Sequence, residues 1–212
     1  MAAIEIFGAP QSVYVRATRL ALEEKGVSYT LTPAIPHSPQ ILALNPFGKI
    51  PAMRHGAFEL FESMAIIAYV DRTHTGPKLI PDDARLAACV VQWSSAINTN
   101  VIPALLGYMQ ANAFPKGPNG NPDRAAIDGF LPAVRKQIDI IDRAVKQTGH
   151  LAGEVFTIAD MYLMPVLAYL QSFPESGQAM TSARSLTRYF EAHAKRASFR
   201  ATTPPPLAEL RS

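Results

Sequence analysis

Three short stretches of this 212-residue chain carry groups able to act on a small molecule. Ser12 follows the turn Gly8-Ala9-Pro10-Gln11 and stands where a helical pattern begins. Unpaired N–H groups and the positive end of the peptide dipoles meet at such a point and favour an anion. Serine is also a common helix cap, and the local sequence is compatible with either role. Asn45-Pro46-Phe47-Gly48-Lys49-Ile50-Pro51-Ala52-Met53 and Phe58-Glu59-Leu60-Phe61-Glu62-Ser63 flank a His55-Gly56 turn and read as a β-hairpin. A proline cannot donate to a sheet ladder, so it belongs at the start of the first run. The second run ends in an acid and a hydroxyl where another helical pattern begins. Backbone groups, a carboxylate and a hydroxyl gathered at the end of a sheet form a cradle for a small zwitterion.

The elements that must position these groups alternate in the first part of the chain. Ile4 and Ile6 flank Glu5 on a short strand, and Val13, Ala17, Leu20 and Ala21 follow helical spacing up to Gly26. Val27, Tyr29 and Leu31 predict a second strand, parallel to the first across this βαβ unit. Pro33 to Pro39 predicts a loop, Ile41 to Leu44 a helical turn before the hairpin, and Ile66, Tyr69 and Val70 a helix that stops before Gly76-Pro77. The order βαβ, connection, ββα predicts a thioredoxin-like α/β domain over residues 1–78, with a linker at 79–86.

Residues 87–212 predict an all-helical domain. Leu86, Val90, Trp93, Ile97 and Val101 form one apolar stripe, which Pro103 should kink or interrupt. Phe114 to Pro122 holds three prolines and two glycines and reads as a loop. Ile127, Leu131, Val134, Ile138, Ile141 and Val145 form a second stripe, in which Pro132 predicts a bend or a late start. A third helix runs from Thr157 to about Leu170 and a fourth from Thr181 to Ala197, before an extended tail at Thr203-Pro204-Pro205-Pro206. Thr157 and Asp160 form a capping-box pattern and are assigned to folding. Cys89, one residue before Val90, reads as a small packed residue.

Composition narrows the function. Hydrophobic residues make up 48% and charged residues 17%, which supports a packed core and argues against disorder. A net charge of +3 without a Lys/Arg run makes nucleic acid a poor partner, while still favouring small anions. A single cysteine excludes an intrachain disulfide or a multi-cysteine metal site and fits a reducing compartment. No signal-peptide pattern or membrane-length apolar run is present, so a cytoplasmic protein with no membrane partner is expected.

The chain resembles cytosolic glutathione transferases over nearly its whole length. The resemblance rests on Phe7-Gly8-Ala9-Pro10-Gln11-Ser12, Arg19-Leu20-Ala21-Leu22-Glu23-Glu24-Lys25-Gly26, Asn45-Pro46-Phe47-Gly48-Lys49-Ile50-Pro51, Glu62-Ser63-Met64-Ala65-Ile66 and Phe156-Thr157-Ile158-Ala159-Asp160. Five motifs in this order are strongly specific, and the likeness is greatest to serine-type members such as the phi class and related bacterial enzymes. It implies that Ser12 donates a hydrogen bond to the glutathione sulfur and favours the thiolate. Phe7, near the position of the catalytic tyrosine in tyrosine-type members, lacks a hydroxyl. Tyr14 lies on another side of the helix and reads mainly as packing. Cysteine-type members carry a thiol where Ser12 stands.

By the same resemblance, Ile50 precedes a cis proline, Pro51, and offers its N–H and C=O to the cysteinyl backbone of glutathione. The local sequence is equally compatible with a trans proline opening an edge strand. Lys49 lies near the glycyl carboxylate or is a solvated surface lysine, and His37 is a candidate for the same end. Glu62 pairs with the γ-glutamyl ammonium and Ser63 holds the neighbouring carboxylate; the alternative is a capping Ser63 and a solvated Glu62. Tyr108, Met109 and Phe114 are candidates for the wall of an electrophile site between the domains, or for plain core packing. The resemblance implies a homodimer that uses glutathione as co-substrate, with no metal or redox cofactor. Two other readings are a non-catalytic ligand-binding or partner-docking protein of the same fold, and a glutathione-dependent peroxidase or thiol transferase.

Overall fold

The structure is a computed structural model that describes residues 3–115, 117 and 120–206. Its residues form two compact units, one running to Asp82 and including the chain from Lys195 onward, the other running from Asp83 to Ala194.

The first unit is built on a four-stranded sheet in the order β2-β1-β3-β4. β1 (Ile4–Phe7) pairs in parallel with β2 (Tyr29–Thr32) and antiparallel with β3 (Ala52–His55), and β3 pairs antiparallel with β4 (Phe58–Phe61). The helices are α1 (Val13–Glu24), α2 (Pro39–Leu44), α3 (Ser63–Thr73) and α10 (Ala197–Ala201). Strand alternation divides the core between two faces. Ile4, Ile6 and Met53 pack with Val15, Leu22, Ile66 and Val70 from α1 and α3, whereas Phe7 and Ala52 pack with Ala34, Ile41 and Leu44 around α2. Ile50 touches both clusters, so the residue before Pro51 is held from both sides. This is the thioredoxin-like arrangement expected from the element order. The hairpin turn lies one residue later than predicted: Gly56 and Ala57 make it, while His55 ends β3 opposite Phe58.

The second unit is helical: α4 (Ala84–Ala96), α5 (Ile102–Ala113), α6 (Arg124–Val145), α7 (Ile158–Ser172), α8 (Pro174–Ser182) and α9 (Arg184–Ala194). The interruption expected near Pro103 occurs as one π turn, Ile97–Val101, with the proline second in α5 immediately after it. Pro132 does not delay α6, which starts at Arg124 with Asp123 capping the Ala126 N–H. Of the predicted loop 114–122, residues 116, 118 and 119 lie outside the described residues.

The fourth helix expected over Thr181–Ala197 is corrected to three. Pro174 opens a separate α8, Ala183 leaves the helical region at φ −88 and ψ 80, and the N–H of Leu186 at the start of α9 is taken by Asp142 Oδ1 of α6 at 2.8 Å. The third helix, α10, belongs to the first unit, so the helical stretch assigned to residues 87–212 gives up its last part. Cys89 is also corrected. It is exposed, because one helical step from buried Val90 turns it away from the stripe. Asp160 is buried and accepts from the N–H groups of Thr157 and Leu151 and the hydroxyl of Tyr189, at 2.9, 3.0 and 2.9 Å. With Thr157 it forms the expected capping box. Among the described residues, no helix is long and apolar enough to cross a membrane.

Candidate active site

Ser12 is the N-cap of α1, extended at φ −66 and ψ 127. Its N–H donates to the Ala9 carbonyl at 3.0 Å, its carbonyl accepts from the Arg16 N–H at 2.9 Å, and its Oγ accepts from the Val15 N–H at 3.4 Å. The last contact is long for a cap and is the one hydrogen bond its hydroxyl makes among the described residues. A hydroxyl has one donor and two acceptor positions, so Ser12 can cap the helix and still donate its proton to an anion.

Gly8 brings this helix start against the hairpin. A Cβ at Gly8 would lie 2.5 Å from Val15 Cγ2 and 3.3 Å from Ile50 Cβ, an approach that no larger residue allows. The Ile50–Pro51 peptide is cis, which decides between the two forms left open by the sequence. Among the described residues the backbone N–H and C=O of Ile50 make no hydrogen bond, so both stand available to an extended peptide laid beside it.

The loop leading to Ile50 is tied by a residue to which the sequence alone assigns no role. Asn45 is 1% exposed; its Nδ2 donates to the Lys49 carbonyl at 2.8 Å and its Oδ1 accepts from the Phe47 N–H at 3.0 Å. One buried amide thus closes the Pro46–Lys49 turn. Gly48, at φ +66, leaves no room for a side chain, since its Cβ would sit 2.3 Å from His37 Nδ1. His37, itself at φ +62, donates its N–H to the Gly48 carbonyl at 2.8 Å. His37, Lys49 and Ile50 are therefore neighbours, with the Lys49 side chain exposed.

Glu62 joins β4 to α3 at φ +70 and ψ 117, a backbone conformation that L side chains rarely adopt. It is the N-cap residue, yet its side chain makes no cap hydrogen bond and is exposed. Ser63 is the first residue of α3 rather than its cap and is 7% exposed. Its N–H lies in the first turn of α3, where the N–H groups point out of the helix end. An outward carboxylate beside a helix N-terminus suits a group carrying both an ammonium and a carboxylate.

Tyr14 belongs to the same neighbourhood, beyond its reading as packing alone. It is half-buried, and burial followed by the nearby Glu62 carboxylate pushes its phenol above the ordinary tyrosine range. No local sequence signal marks this pairing, because it arises from α1 packing on α3.

The proposed wall residues Tyr108, Met109 and Phe114 all lie in the second unit. Tyr108 is 0% exposed, its ring packs edge-on against Phe173, and its hydroxyl donates to Ser176 Oγ at 3.0 Å. That is core packing, with the polar end satisfied inside the unit. Met109 is buried, and Phe114, the C-cap of α5, is 48% exposed.

Comparison with known proteins identifies the family. Residues 6–78 match the family described as Glutathione S-transferase, N-terminal domain, and residues 103–197 match Glutathione S-transferase, C-terminal domain. A glutathione S-transferase of Arabidopsis thaliana is 30% identical over 82% of this chain and 84% of its own length. Glutathione S-transferase 3 of Zea mays is 29% identical over 97% and 98%. The crystal structure of a glutathione transferase from Populus trichocarpa superposes with a TM-score of 0.83 at 28% identity, covering 94% of this chain and 97% of that one. A glutathione S-transferase from Methylobacillus flagellatus, solved with GSH bound, gives a TM-score of 0.80 at 25% identity over 96% and 100%. The chain is a phi-like member of the glutathione S-transferase family.

Proposed function

We propose that this chain binds glutathione in its first unit and transfers the thiolate to an electrophilic, mostly apolar small molecule. A free thiol has a pKa of about 8.5 and is mostly protonated at neutral pH. The Ser12 hydroxyl donates to the sulfur and lowers that value, so that more of the bound thiol is in its nucleophilic form. Ser12 forms no covalent bond. The thiolate sulfur attacks the electrophilic carbon, a carbon–sulfur bond forms, and the leaving group departs with its electron pair. Ile50 pairs with the cysteinyl backbone, His37 and Lys49 meet the glycyl carboxylate, and Glu62 and Ser63 hold the γ-glutamyl ammonium and carboxylate. The protein acts as a cytoplasmic homodimer, with residues 1–78 as its glutathione-binding domain.

The observation that carries this reading is Ser12 Oγ at the N-cap of α1 with a 3.4 Å cap contact, on a helix start that Gly8 lets approach the Ile50 side chain. Conjugation kinetics with an aryl halide acceptor, in wild type and Ser12→Ala, test it. The wild type forms the thioether and releases halide, and the variant loses most of that rate. If glutathione binds and no conjugate forms with any of several electrophile classes, the transferase reading fails. Light scattering of the purified chain checks the dimer.

A further inference from the structure

The far end of the chain is built into the same unit as Ser12. α10 is only five residues long: the Thr202 and Thr203 N–H groups reach the carbonyls of Ser198 and Arg200, and the carbonyls of Phe199, Ala201 and Thr202 are met by side chains. Two arginines of α1 serve them. Arg16 Nη2 donates to the Phe199 carbonyl at 3.2 Å, and Arg19 Nη1 and Nη2 donate to the carbonyls of Thr202 and Ala201 at 3.3 and 3.2 Å. The Thr203 hydroxyl also donates to the Phe199 carbonyl, at 3.1 Å. Near the other end of α1, Glu24 accepts from Arg196 Nε and Nη2 at 2.7 and 2.6 Å and from the Ser198 hydroxyl. The C-terminal turn thus holds α1 along most of its length.

Arg16 is the link to the chemistry. It is 5% exposed, and its guanidinium carbon lies 4.1 Å from the centre of the Phe199 ring. Its own N–H makes the 2.9 Å hydrogen bond to the Ser12 carbonyl. That bond closes the first turn of α1 and so fixes the backbone from which the Ser12 hydroxyl projects. First helical turns fray readily, and a hydrogen-bond donor to a reacting atom must hold its place within about 0.5 Å to remain effective. A planar guanidinium that is both stacked and hydrogen-bonded restrains such a turn more tightly than a flexible ammonium does.

We propose that Arg16 and Phe199 form a positioning pair for Ser12, which makes the C-terminal turn part of the thiol-activating end. This rests on Ser12 being the donor to the glutathione thiolate. Neither residue is assigned a contact with glutathione; each acts through the Ser12 backbone.

The experiment is a titration of the thiolate absorbance of bound glutathione against pH, with kcat and KM measured alongside. Arg16→Lys keeps the charge and removes the fork, and Phe199→Leu keeps apolar volume and removes the ring face. Each is expected to raise the bound thiol pKa by about 0.5–1 unit, part of the rise produced by Ser12→Ala, and to lower kcat while KM for glutathione stays within about twofold. Phe199→Tyr restores the wild-type value. Added to Ser12→Ala, Phe199→Leu produces no further rise, because both act through one group. If Arg16→Lys and Phe199→Leu melt earlier but keep the wild-type thiol pKa, the pair is structural only and the inference is overturned, while Ser12 keeps its role. If Arg16→Lys is silent and Arg16→Met alone raises the pKa, the charge acts directly and positioning is again overturned. If Ser12→Ala itself leaves the thiol pKa unmoved, both readings fall together. Should Phe199→Leu fail to fold, Arg16→Lys decides alone.

Discussion

Replacing Ser12 with alanine removes two interactions of unequal strength, and the difference between them is measurable. The cap bond to the Val15 N–H is 3.4 Å long, so its loss belongs at the low end of the range for helix caps, about 0.5–1 kcal/mol of stability. The hydrogen bond to a thiolate is charge-assisted, and such bonds contribute about 1.5–3 kcal/mol. At 1.36 kcal/mol per unit, that lowers the bound thiol from about 8.5 to roughly 6.5–7.5. Ser12→Ala should therefore return the bound thiol to near 8.5 while the protein stays folded. Since the thiolate is the nucleophile, activity rises with pH through the thiol pKa, and the variant's profile moves to higher pH. At pH 6.5 the rate should fall about 10- to 50-fold, with a smaller deficit at pH 9. Ser12→Thr retains a hydroxyl and a cap and should keep part of the effect. The assay is thiolate absorbance of bound glutathione across pH, joined to kcat/KM for an aryl halide over the same range. A Ser12→Ala protein that binds glutathione with an unchanged thiol pKa and an unchanged profile refutes the assignment.

Other sites give equally direct tests. Glu62 holds φ +70 at a backbone cost of about 1–3 kcal/mol, so Glu62→Gly should melt a few degrees above Glu62→Ala, while both bind glutathione more than tenfold more weakly by calorimetry. Asn45→Ala strips two hydrogen bonds from a buried turn and should cost about 2–4 kcal/mol in urea unfolding, with KM for glutathione rising through the loosened Lys49–Ile50 segment. Burial acts to raise the Glu175 carboxyl, but the hydrogen bond and charge of Arg124 outweigh it and hold the group below its ordinary range. Its stabilising effect is therefore present above the ordinary carboxylate range near pH 4.3 and lost as pH falls through its lower folded value. Glu175→Gln should accordingly lower Tm at pH 7, and the deficit should shrink as pH falls below the ordinary carboxylate range, as read by thermal denaturation.

Much of this architecture is encoded locally. Alternation of Ile4 and Ile6 and the helical spacing from Val13 to Ala21 are short-range patterns, and burial alone turns them into β1 and α1. The capping box at Thr157 and Asp160 is likewise complete within four residues. The candidate site was legible as residue types in order: a serine at a helix start, an Ile-Pro step, and an acid followed by a serine. Residues 174–201 were not legible as separate helices, because a helix-compatible run does not show where a backbone break and a distant carboxylate, Asp142, end one helix and start the next. Cys89 failed for a simpler reason, since a residue beside a stripe is buried or exposed according to a single 100° step.

The sequence by itself therefore determined most of the elements and which side chains are candidates for the chemistry, since periodicity, caps and turns are properties of neighbours along the chain. Only the tertiary structure decided what those side chains meet. It chose the cis form at Ile50–Pro51, closed Gly8 between Val15 and Ile50, set Glu62 in a left-handed backbone within electrostatic reach of Tyr14, and returned Phe199 to Arg16 across 183 residues of chain. Each of these depends on two segments packing against each other, and the energy of that packing is not written in either segment alone.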